Sequence, residues 1–478
     1  MAIFEYAPAP ESTAPVRLRA SYDHFIGGEW LAPASGRYDE TINPATELPL
    51  ARVAHGDAGD VDRAARAARS AYEKYWRKMR PAERAKYIYR IARAITERSR
   101  ELAVLESMNG GKPIKESRDF DIPQAAAHFF YHAGWADKLE WAMRAGKVPR
   151  SLGVIGQIVP WNFPLMMAAW KIAPALACGN TVVLKPAETT PLTALALAQI
   201  VEAADLPPGT VNIVTGDGST GSEIVRHPEF DKLAFTGSTE VGKAIRRATA
   251  GTAKKLTLEL GGKAAHIVFA DAPLDQALEG IVSGIYFNQG HVCCAGSRLL
   301  VQESVHDEIV RRLSDRIAGL ILGDPLDKNT DIGAVNSRAQ LDRIHELVQS
   351  GVSEGATLVQ APCILPERGF YFPASFFTGV QQSHRIACEE IFGPVLSILT
   401  FRTPDEAIEK ANNTPYGLSA GIWTDQGSKN MWIAGRLRAG VVWCNTFNQF
   451  DPSSPFGGYK ESGFGREGGV AGLAEYLK

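Results

Sequence analysis

The runs GVIGQIV at residues 153–159 and NTVVLK at residues 180–185 have the short, apolar character of strands that are buried on both faces. Further runs of this kind follow at 211–216 (VNIVTG), 232–237 (KLAFTG) and 254–260 (KKLTLEL). Helical patterns alternate with them, as at 190–204 and 240–249. Such alternation is typical of parallel strands joined by crossover helices, so this part of the chain is predicted to form an α/β sheet.

A second series of strand-like and helical runs begins after Gly262. In order, it comprises AAHIVF (264–269), a helix at 275–286, RLLVQ (298–302), a helix at 305–320, SILTF (397–401), a helix ending at 411, and GVVWCN (440–445). The chain contains no fixed-period repeat and no low-complexity tract. Two α/β domains joined near Gly261 and Gly262 are therefore predicted.

The N-terminal region has a different composition. Residues 1–20 are rich in Ala and Pro and are expected to form a loose arm. From Asp60 onward, apolar residues recur at helical spacing. A second helix is predicted from Pro81 to Gly110, because Pro favours the start of a helix and Gly its end. Both predicted helices are amphipathic.

Composition excludes several classes of protein. The 478 residues are 45% hydrophobic and 22% charged with a net charge of −2, which is typical of a globular protein of two or three domains. No sustained Lys/Arg cluster is present, so neither nucleic acid nor an anionic membrane is an expected partner. The sequence lacks a run of roughly 18 apolar residues and a secretory signal pattern, so a cytoplasmic location is expected.

The cysteines indicate reduced thiols. The six of them match neither a disulfide framework nor a paired CxxC metal site, so no metal is expected. Cys293 and Cys294 are adjacent in FNQGHVCCAG (287–296), a stretch without a charged side chain. The pair is either core packing or includes a nucleophile, and this stretch alone does not decide between the two.

A cysteine nucleophile needs a group that stabilises an oxyanion and usually needs a base. In PWNFP, Asn162 follows a predicted buried strand, where α/β sheets place their sites, so its amide is a candidate oxyanion donor. The alternative is a proline-rich turn with a capping Asn. In LELGGK, Glu259 lies between two leucines, and burial would raise its pKa toward that of a general base. The alternative is a surface carboxylate on an edge strand.

Gly-rich turns after the predicted strands indicate a nucleotide site. VTGDGSTG (214–221) contains GxGxxG, but the acid expected about 20 residues later is missing, so this loop is not favoured as the pyrophosphate site. FTGSTEVG (235–242) is the better candidate, because Gly237 and Ser238 precede a helix whose free N–H groups can bind an anion. The motif KPAE offers a cation and a carboxylate, which bind sugar hydroxyls or form an exposed ion pair: Lys185 and Glu188.

Eight motifs follow one another along the chain: PWNFP, KPAE, FTGST, LELGGK, FNQGxxCCAGSR, EEIFGP, NTPYGLSAGIWT and PFGGYKxSGxGRE. In this order and at these separations, they closely resemble the NAD(P)-dependent aldehyde dehydrogenase superfamily from about Asp23 to Tyr476. The resemblance implies an α/β fold with a Rossmann-like NAD-binding domain and an α/β catalytic domain. It also implies NAD-dependent oxidation of an aldehyde to a carboxylic acid through a thiohemiacetal and a thioester on cysteine.

The resemblance also implies domain boundaries. They are residues 1–20 for a flexible N-terminal arm, 21–135 and 149–260 for the NAD-binding domain, 136–148 for a shortened oligomerisation hairpin, 261–445 for the catalytic domain, and 446–478 for a segment that returns to the NAD-binding domain without the family's oligomerisation tail.

By the same resemblance, the nucleophile is Cys293 and Cys294 is a non-essential neighbour. Asn162 and a backbone N–H would hold the oxyanion, and Glu259 would activate the water that hydrolyses the thioester. Two further residues match positions that the family uses in a proton relay around the base: Lys171 and Glu467.

NAD is the implied cofactor, and NADP is less favoured because the carboxylate of Glu188 would repel a 2′-phosphate. Glu188 and Lys185 would hold the adenosine ribose, Ser238 the pyrophosphate and Glu390 the nicotinamide ribose, with Phe392 beside it. The remaining expected cofactor positions are Ile158, Pro160, Trp161, Gly218, Gly221, Phe235, Gly237, Val241, Glu259, Leu260 and Gly261.

Mostly aromatic and apolar residues fall where the family lines its substrate tunnel: Phe163, Met167, Trp170, Phe287, Val292, Cys294, Phe450 and Phe456. Without Arg or Lys among them, they favour an uncharged aliphatic or aromatic aldehyde, although core packing explains aromatic residues equally well. Two alternatives remain. One is a CoA-acylating aldehyde dehydrogenase, against which Glu259 favours hydrolysis, and the other is a non-catalytic scaffold or regulatory subunit with the same fold.

Two features depart from the family pattern. His291 and Val292 replace residues that are commonly Gln and a small or thiol residue, and a structural role is expected for the His291 imidazole. The oligomerisation hairpin is shortened to AMRAGKVPRS (142–151), and the family's C-terminal strand does not follow Tyr476. The usual tetramer is therefore not expected; a monomer, an atypical dimer, or assembly with a subunit that supplies the missing strands is predicted instead.

Overall fold

A computed structural model describes the protein at residues 7–142 and 148–478. In chain order, its strands are β1 Ser21–Tyr22, β2 His24–Ile26, β3 Glu29–Leu31, β4 Tyr38–Asn43, β5 Leu48–Ala54, β6 Val154–Ile158, β7 Thr181–Lys185, β8 Val211–Ile213, β9 Lys232–Thr236, β10 Lys255–Glu259, β11 Ala265–Val268, β12 Arg298–Gln302, β13 Thr357–Gln360, β14 Ser375–Thr378, β15 Val395–Phe401, β16 Ser419–Trp423, β17 Val441–Cys444 and β18 Gly463–Phe464.

The α-helices connect and cover these strands. In chain order, they are α1 Ala58–Lys74, α2 Pro81–Glu97, α3 Ser99–Gly110, α4 Ile114–Glu116, α5 Ile122–Trp135, α6 Leu139–Ala142, α7 Pro164–Ala177, α8 Leu192–Ala203, α9 Gly218–Arg226, α10 Thr239–Ala248, α11 Leu274–Tyr286, α12 His306–Ile317, α13 Arg338–Ser353, α14 Arg385–Cys388, α15 Pro404–Asn412, α16 Gly427–Ala434 and α17 Gly469–Ala474. Short 3₁₀ turns lie at Trp76–Lys78, Phe287–Gly290, Glu303–Val305 and Lys460–Ser462, and a π-helical turn lies at Ser117–Asp121.

The first large sheet has eight strands in the order β18-β10-β9-β6-β7-β8-β2-β3. Its five central strands, β10 to β8 in this order, are parallel, whereas β18, β2 and β3 pair antiparallel at the two edges. From β6 the chain winds first toward β7 and β8 and later toward β9 and β10. This reversal creates a crevice at the carboxyl ends of β6 and β9, where open α/β sheets bind ligands.

Local sequence explains why these strands lie inside. Every residue of β7 is buried, in agreement with its continuous apolar run, which is typical of a parallel sheet covered on both faces. All 14 residues of α7 are buried as well, in agreement with a sequence that is apolar or small at every position except Lys171. Residues that follow β6 are therefore held between a buried strand and a buried helix.

The second large sheet has seven strands in the order β13-β14-β15-β12-β11-β16-β17. All of its pairs are parallel except β13 with β14. A small third sheet has the order β1-β5-β4. The predicted α/β fold is confirmed. The eight-stranded sheet also takes in β18, which comes long after Gly262 in the chain.

The single helix predicted from Pro81 to Gly110 is wrong, because the structure has two helices there, α2 and α3. They meet at Arg98, whose backbone (φ −99°, ψ 16°) departs from helical geometry. The change of direction lets α2 pack on α5 while α3 packs on α8.

Two predictions fall partly outside the described residues. Residues 1–6 of the predicted loose arm lie outside them, whereas the N–H of Glu11 donates to the carbonyl of Leu326 at 2.7 Å. Residues 143–147 of the predicted shortened hairpin also lie outside them. Across residues 7–142 and 148–478, no helix combines the length and the apolar character needed to cross a bilayer.

Candidate active site

The paired cysteines lie in a sharply bent loop between α11 and β12. Asn288, Gln289 and Gly290 all have positive φ, at 50°, 51° and 73°. A side chain on Gly290 would overlap the main-chain oxygen of Gly393, so a glycine is required there. Hydrogen bonds offset the strain: the N–H of Asn288 donates to the Glu116 carboxylate at 2.9 Å.

The bend exposes one cysteine and buries the other. Cys294 is 1% exposed and belongs to the core, whereas the partly exposed Cys293 faces a cavity of about 250 Å³. The contact with Cys294 and burial raise the pKa of the Cys293 thiol well above its ordinary value. Cys293 is therefore a thiol in the resting protein, and it must lose a proton before it attacks a carbonyl.

Asn162 follows β6 and lies beside the cysteine loop. Its side-chain N–H donates to the carbonyl of His291 at 2.7 Å. Its own main-chain oxygen accepts from the side chain of Asn288 at 2.8 Å. An amide nitrogen carries two N–H groups, so one remains for the cavity that Asn162 and Cys293 both line. This geometry fits an oxyanion donor.

Glu259 ends β10 and lines the same cavity. It pairs with Thr236 of β9 on one side and with Gly463 of β18 on the other, so β10 is an inner strand and the expected alternative of an edge-strand surface carboxylate is wrong. Glu259 is 5% exposed, and neither of its carboxylate oxygens has a hydrogen-bond partner among the described residues. Burial raises the pKa of Glu259 well above its ordinary value, and the charge of Glu467 raises it further.

A buried ion pair lies next to this base. The ammonium of Lys171, on α7, is 2.6 Å from the carboxylate of Glu467, and both side chains are almost fully buried. The main chain of Glu467 is held to Phe456 by reciprocal hydrogen bonds of 2.8 Å. Paired charges of this kind can pass a proton while the net charge of the site is kept.

Glu390 approaches the cysteine loop from the second sheet. Its carboxylate accepts from the N–H of Gly262 at 3.0 Å, and a Cβ on Gly261 would overlap it. An added Cβ on Gly262 would likewise overlap the carbonyl of Cys293. The two glycines of LELGGK thus allow Glu390 and Cys293 to come close to one loop. Burial raises the pKa of Glu390 to about 7, although the hydrogen bond from Gly262 opposes the shift.

The expected nucleotide residues divide into two groups. One group lines the cavity: Pro160, Trp161, Gly237, Ser238, Glu259, Leu260, Gly261, Glu390 and Phe392. The other lies outside its lining: Ile158, Lys185, Glu188, Gly218, Gly221, Phe235 and Val241.

Members of the outer group are neighbours of one another at the ends of the parallel strands. Ile158 pairs with Lys185 across β6 and β7, and a Cβ on Gly221 would lie 3.6 Å from the Lys185 side chain. The Lys185 ammonium is 3.8 Å from the Glu188 carboxylate, whose side chain is 61% exposed. Burial lowers the pKa of Lys185 to about 8. A buried cation and an exposed carboxylate thus lie side by side.

Both Gly-rich turns lead into helices. In the turn at 214–221, which the sequence did not favour as the pyrophosphate site, Gly218 begins α9. Asp217 caps that helix by accepting from the N–H of Ser219 at 2.7 Å. In the turn at 235–242, which the sequence favoured for the pyrophosphate, Ser238 caps α10 by accepting from the N–H of Val241 at 3.3 Å. Only Ser238 also lines the cavity, because it follows β9 at the reversal of the sheet.

Aromatic and apolar side chains enclose the other end of the cavity. Seven of the eight expected substrate residues line it: Phe163, Met167, Trp170, Val292, Cys294, Phe450 and Phe456. The eighth, Phe287, does not; it stacks behind Phe163 with ring centroids 6.2 Å apart. Phe120 of the π-helical turn, which sequence reasoning missed, lines the cavity and meets the edges or faces of Phe163, Phe287 and Phe450.

Sequence analysis did not identify five further residues that line the cavity, and they fall into two groups. Met166 and Thr236 stand directly beside predicted residues, so proximity to them is the signal that could have found them. Gln340 and Arg343 come from α13, and Ile391 lies between two predicted residues. No motif connects α13 with the cavity, so only the folded structure brings those side chains in.

His291 is buried next to the nucleophile without contacting solvent. It is 1% exposed, its ring lies 4.8 Å from that of Trp161, and its Nε2 has no hydrogen-bond partner among the described residues. Burial lowers the pKa of His291 to about 3. The imidazole is therefore neutral near pH 7, and its main-chain carbonyl is the part that contacts Asn162.

Comparison with known families gives a match over nearly the whole chain. The model described as "Aldehyde dehydrogenase family" matches residues 30–478. Human retinal dehydrogenase 2 is 44% identical over 491 aligned residues, which cover 100% of this chain and 93% of that protein. Aldehyde dehydrogenase 1A1 of Mesocricetus auratus is 45% identical over 482 residues, covering 98% and 96%.

Solved structures agree with this relationship. The NAD⁺ complex structure of an aldehyde dehydrogenase from Bacillus cereus superimposes with a TM-score of 0.93 at 42% identity. The match covers 96% of this chain and 95% of that one.

Proposed function

The chain belongs to the aldehyde dehydrogenase family, and from that premise we propose how its own residues carry out the NAD-dependent oxidation of an aldehyde to a carboxylic acid. The observation that carries the proposal is a single cavity. It is lined by a partly exposed thiol, an amide donor and an unpaired buried carboxylate: Cys293, Asn162 and Glu259.

In the first half of the reaction, the Cys293 thiol gives its proton to solvent, and the thiolate attacks the aldehyde carbon and forms a thiohemiacetal. The free N–H of Asn162 and a backbone N–H of the cysteine loop hold the resulting oxyanion. Bound NAD supplies the acceptor for the hydride that this carbon loses as it becomes a thioester. The rigid packing of Asn162 between β6 and α7 keeps the donor oriented without reorganisation.

In the second half, Glu259 takes a proton from a water molecule, and that water attacks the thioester. The C–S bond breaks, the carboxylic acid leaves, and the Cys293 thiolate takes up a proton from solvent. Because Glu259 has no hydrogen-bond partner among the described residues and is buried, its pKa is raised above that of an ordinary carboxyl, as a general base requires. Lys171 and Glu467 lie next to this base and are proposed to pass its proton onward.

The residues present fit NAD. Glu390 is a buried acceptor whose approach requires the missing Cβ of Gly261, and Ser238 caps a ten-residue helix at the cavity. A buried carboxylate and a helix N-terminus suit a ribose hydroxyl and a pyrophosphate, respectively. Lys185 and Glu188 are proposed to hold the adenosine ribose.

NAD is proposed to be preferred over NADP, because the exposed carboxylate of Glu188 would repel a 2′-phosphate. Steady-state kinetics with the two cofactors test the assignment. A higher kcat/KM with NAD supports it, and a clear NADP preference contradicts the role of Glu188.

For the substrate, we propose an uncharged aliphatic or aromatic aldehyde. The support is the apolar lining around Phe163, Trp170 and Phe450. The two cations that line the cavity are already paired with carboxylates: Lys171 with Glu467, and Arg343 with Glu346 and Glu389. Rates measured over a series of aldehydes should rise with chain length. A preference for a phosphorylated or acidic semialdehyde would contradict the assignment.

Replacement of the nucleophile tests the function as a whole. Cys293→Ser should abolish NADH production from an aldehyde, whereas Cys294→Ser, a matched control one residue away, should retain it. Product analysis with and without CoA distinguishes hydrolysis from transfer to CoA. Full activity of Cys293→Ser would overturn the mechanism, and a folded wild-type protein without any NADH production would favour the scaffold alternative.

The sequence also supports proposals on assembly and location. The short segment at 142–151 supports a monomer, an atypical dimer or a mixed assembly instead of the usual tetramer. The pattern of reduced thiols supports a cytoplasmic location. Cell fractionation with an antibody to the protein would test the location.

A further inference from the structure

A buried lysine lies directly behind the oxyanion donor. Lys112 is 1% exposed and forms an ion pair with Asp121, whose side chain is fully buried. Its ammonium also donates to the main-chain oxygen of Asn162 at 3.1 Å. In addition, it lies 4.1 Å from the ring centroid of Phe163, at the distance of a cation–π contact.

Three groups surround the ammonium. It donates a hydrogen bond to the Asn162 carbonyl, forms an ion pair with the Asp121 carboxylate, and lies over the Phe163 ring. Two of the three partners belong to the consecutive residues Asn162 and Phe163. The cation is therefore directed at the short segment that connects β6 with α7.

Glu116, four residues after Lys112, contacts the loop that carries Cys293. Glu116 accepts from the N–H of Asn288 at 2.9 Å. The side chain of Asn288 then donates to the main-chain oxygen of Asn162 at 2.8 Å and to that of His291 at 3.4 Å. Residues 112–121 thus touch both Asn162 and the loop that carries Cys293.

Three buried acids lie near Lys112, and burial raises the pKa of each: Glu106, Glu116 and Asp121. Burial raises the pKa of Glu116 to about 8, so that carboxyl is largely neutral at pH 7. Asp121 is the acid in direct contact with the ammonium. A buried lysine paired this way is costly to desolvate, and a Lys–Asp pair that served stability alone could be replaced by apolar residues of similar volume.

We propose that Lys112 is a positioning residue, which fixes the main chain of Asn162 so that its side-chain amide reaches the oxyanion formed on Cys293. The inference rests on the proposed function. Lys112 does not line the cavity, so it acts through Asn162 and not on the substrate.

A double-mutant cycle tests this coupling. Lys112→Met keeps the length of the side chain but removes the charge and the donor, and it should lower kcat about 10- to 100-fold with little change in KM for NAD. In the background of Asn162→Ala, the same substitution should lower kcat less than about 3-fold, because the group it positions is already gone. Lys115→Met, three residues away, removes a cation that pairs with Asp331 outside the site and should leave kcat unchanged.

Folding is checked by circular dichroism and thermal unfolding of each variant. If Lys112→Met does not fold, the double variant Lys112→Met with Asp121→Asn, which leaves no unpaired buried charge, carries the same expectation. An unchanged kcat in a folded variant, or an equal fall with and without the Asn162 amide, overturns the proposal. The comparison of wild type with Cys293→Ser is independent, so a failure of the proposed function would be seen separately.

Discussion

Two glutamates in the cavity have different surroundings, and this difference separates their roles. Glu467 has the Lys171 ammonium 2.6 Å away, whereas the oxygens of Glu259 have no hydrogen-bond partner among the described residues. A carboxyl without a counter-charge in a buried site keeps its proton to higher pH. Glu259 therefore suits a base that must take a proton and release it again, and Glu467 suits a relay.

The activity should depend on pH through Glu259 and Cys293, since burial raises the pKa of both groups. Both must lose a proton to act, so kcat/KM is expected to rise as pH increases from 6 to 9. Glu259→Gln should lower the steady-state rate about 10²- to 10⁴-fold while a burst of NADH persists, because hydrolysis is lost and thioester formation is not.

His291→Gln is the matched control, because the imidazole is already neutral over this range. Its pH–rate profile should coincide with that of the wild type. An acid limb that moves in His291→Gln would contradict the structural role of this side chain.

The same burial links Glu259 to stability. Because its folded-state pKa is raised, the folded protein binds the proton more tightly than the unfolded chain does, so this residue makes the free energy of unfolding fall as pH rises above 4.5. The slope is at most about 1.4 kcal/mol per pH unit for one proton. In denaturant unfolding, the free energy of unfolding of Glu259→Gln should increase relative to that of the wild type as pH rises. A difference between the two proteins that does not change with pH would contradict the burial of an ionisable base.

Asn162→Ala removes the proposed oxyanion donor. It should lower kcat about 10²- to 10³-fold, equivalent to about 2.7–4 kcal/mol, because the donor acts on charge that develops only during reaction. KM for the aldehyde should change little. A loss that appears only in KM would instead assign Asn162 to substrate binding.

Sequence reasoning was strongest for residues that carry their own motif. Cys293, Asn162 and Glu259 each follow a recognisable strand or stand in a short motif, and one cavity brings them together. Lys112 and Phe120 belong to no such motif. Phe120 reaches the site through a π-helical turn, and Lys112 lies in the short connection between α3 and α4. Neither segment has a periodic apolar pattern, so neither side chain could be predicted from the sequence.

At the level of elements, the long buried strands were predicted well because continuous apolar runs mark parallel strands. Two other features were not predicted: the break between α2 and α3, and the strand β18. The break between α2 and α3 at Arg98 has neither Pro nor Gly to mark it, and tertiary packing on α5 and α8 decides it. The two-residue strand β18 is too short to show any periodicity, although it makes β10 an inner strand.

A substitution at Gly463, the first residue of β18, tests the role of this strand. The φ of Gly463 is 108°, and a Cβ there would overlap the carbonyl of Leu258, one residue before Glu259. Gly463→Ala should therefore destabilise the protein by about 1–3 kcal/mol and lower the hydrolysis step. Gly427→Ala is the control, because a Cβ at the start of α16 would meet nothing within 4 Å. Equal stability of the two variants in chemical denaturation would contradict the role of β18.

For the molecule as a whole, the site is shared between two sheets. Asn162 and Glu259 lie at the carboxyl ends of strands in the eight-stranded sheet, whereas Cys293 and Glu390 come from loops of the seven-stranded sheet. The cavity is lined by residues from both parts of the chain, so the relative placement of the two sheets determines the geometry of the site.

The number of chains in the assembled protein is also a property of the whole molecule. Multi-angle light scattering over a range of protein concentrations should give a mass of one or two chains, because the segment at 142–151 is short. A mass of four chains would contradict the prediction. A mass that doubles with concentration would identify the dimer among the alternatives.

The pairing of β18 with β10 has a consequence for biosynthesis. A ribosome has translated the nucleophile and the base long before it reaches Gly463 and Glu467, so a nascent chain holds both groups while Glu259 lacks its neighbouring strand and Lys171 lacks its counter-ion. The last residues to leave the ribosome therefore complete the hydrolytic half of the site, whereas the nucleophile is already present from the middle of translation.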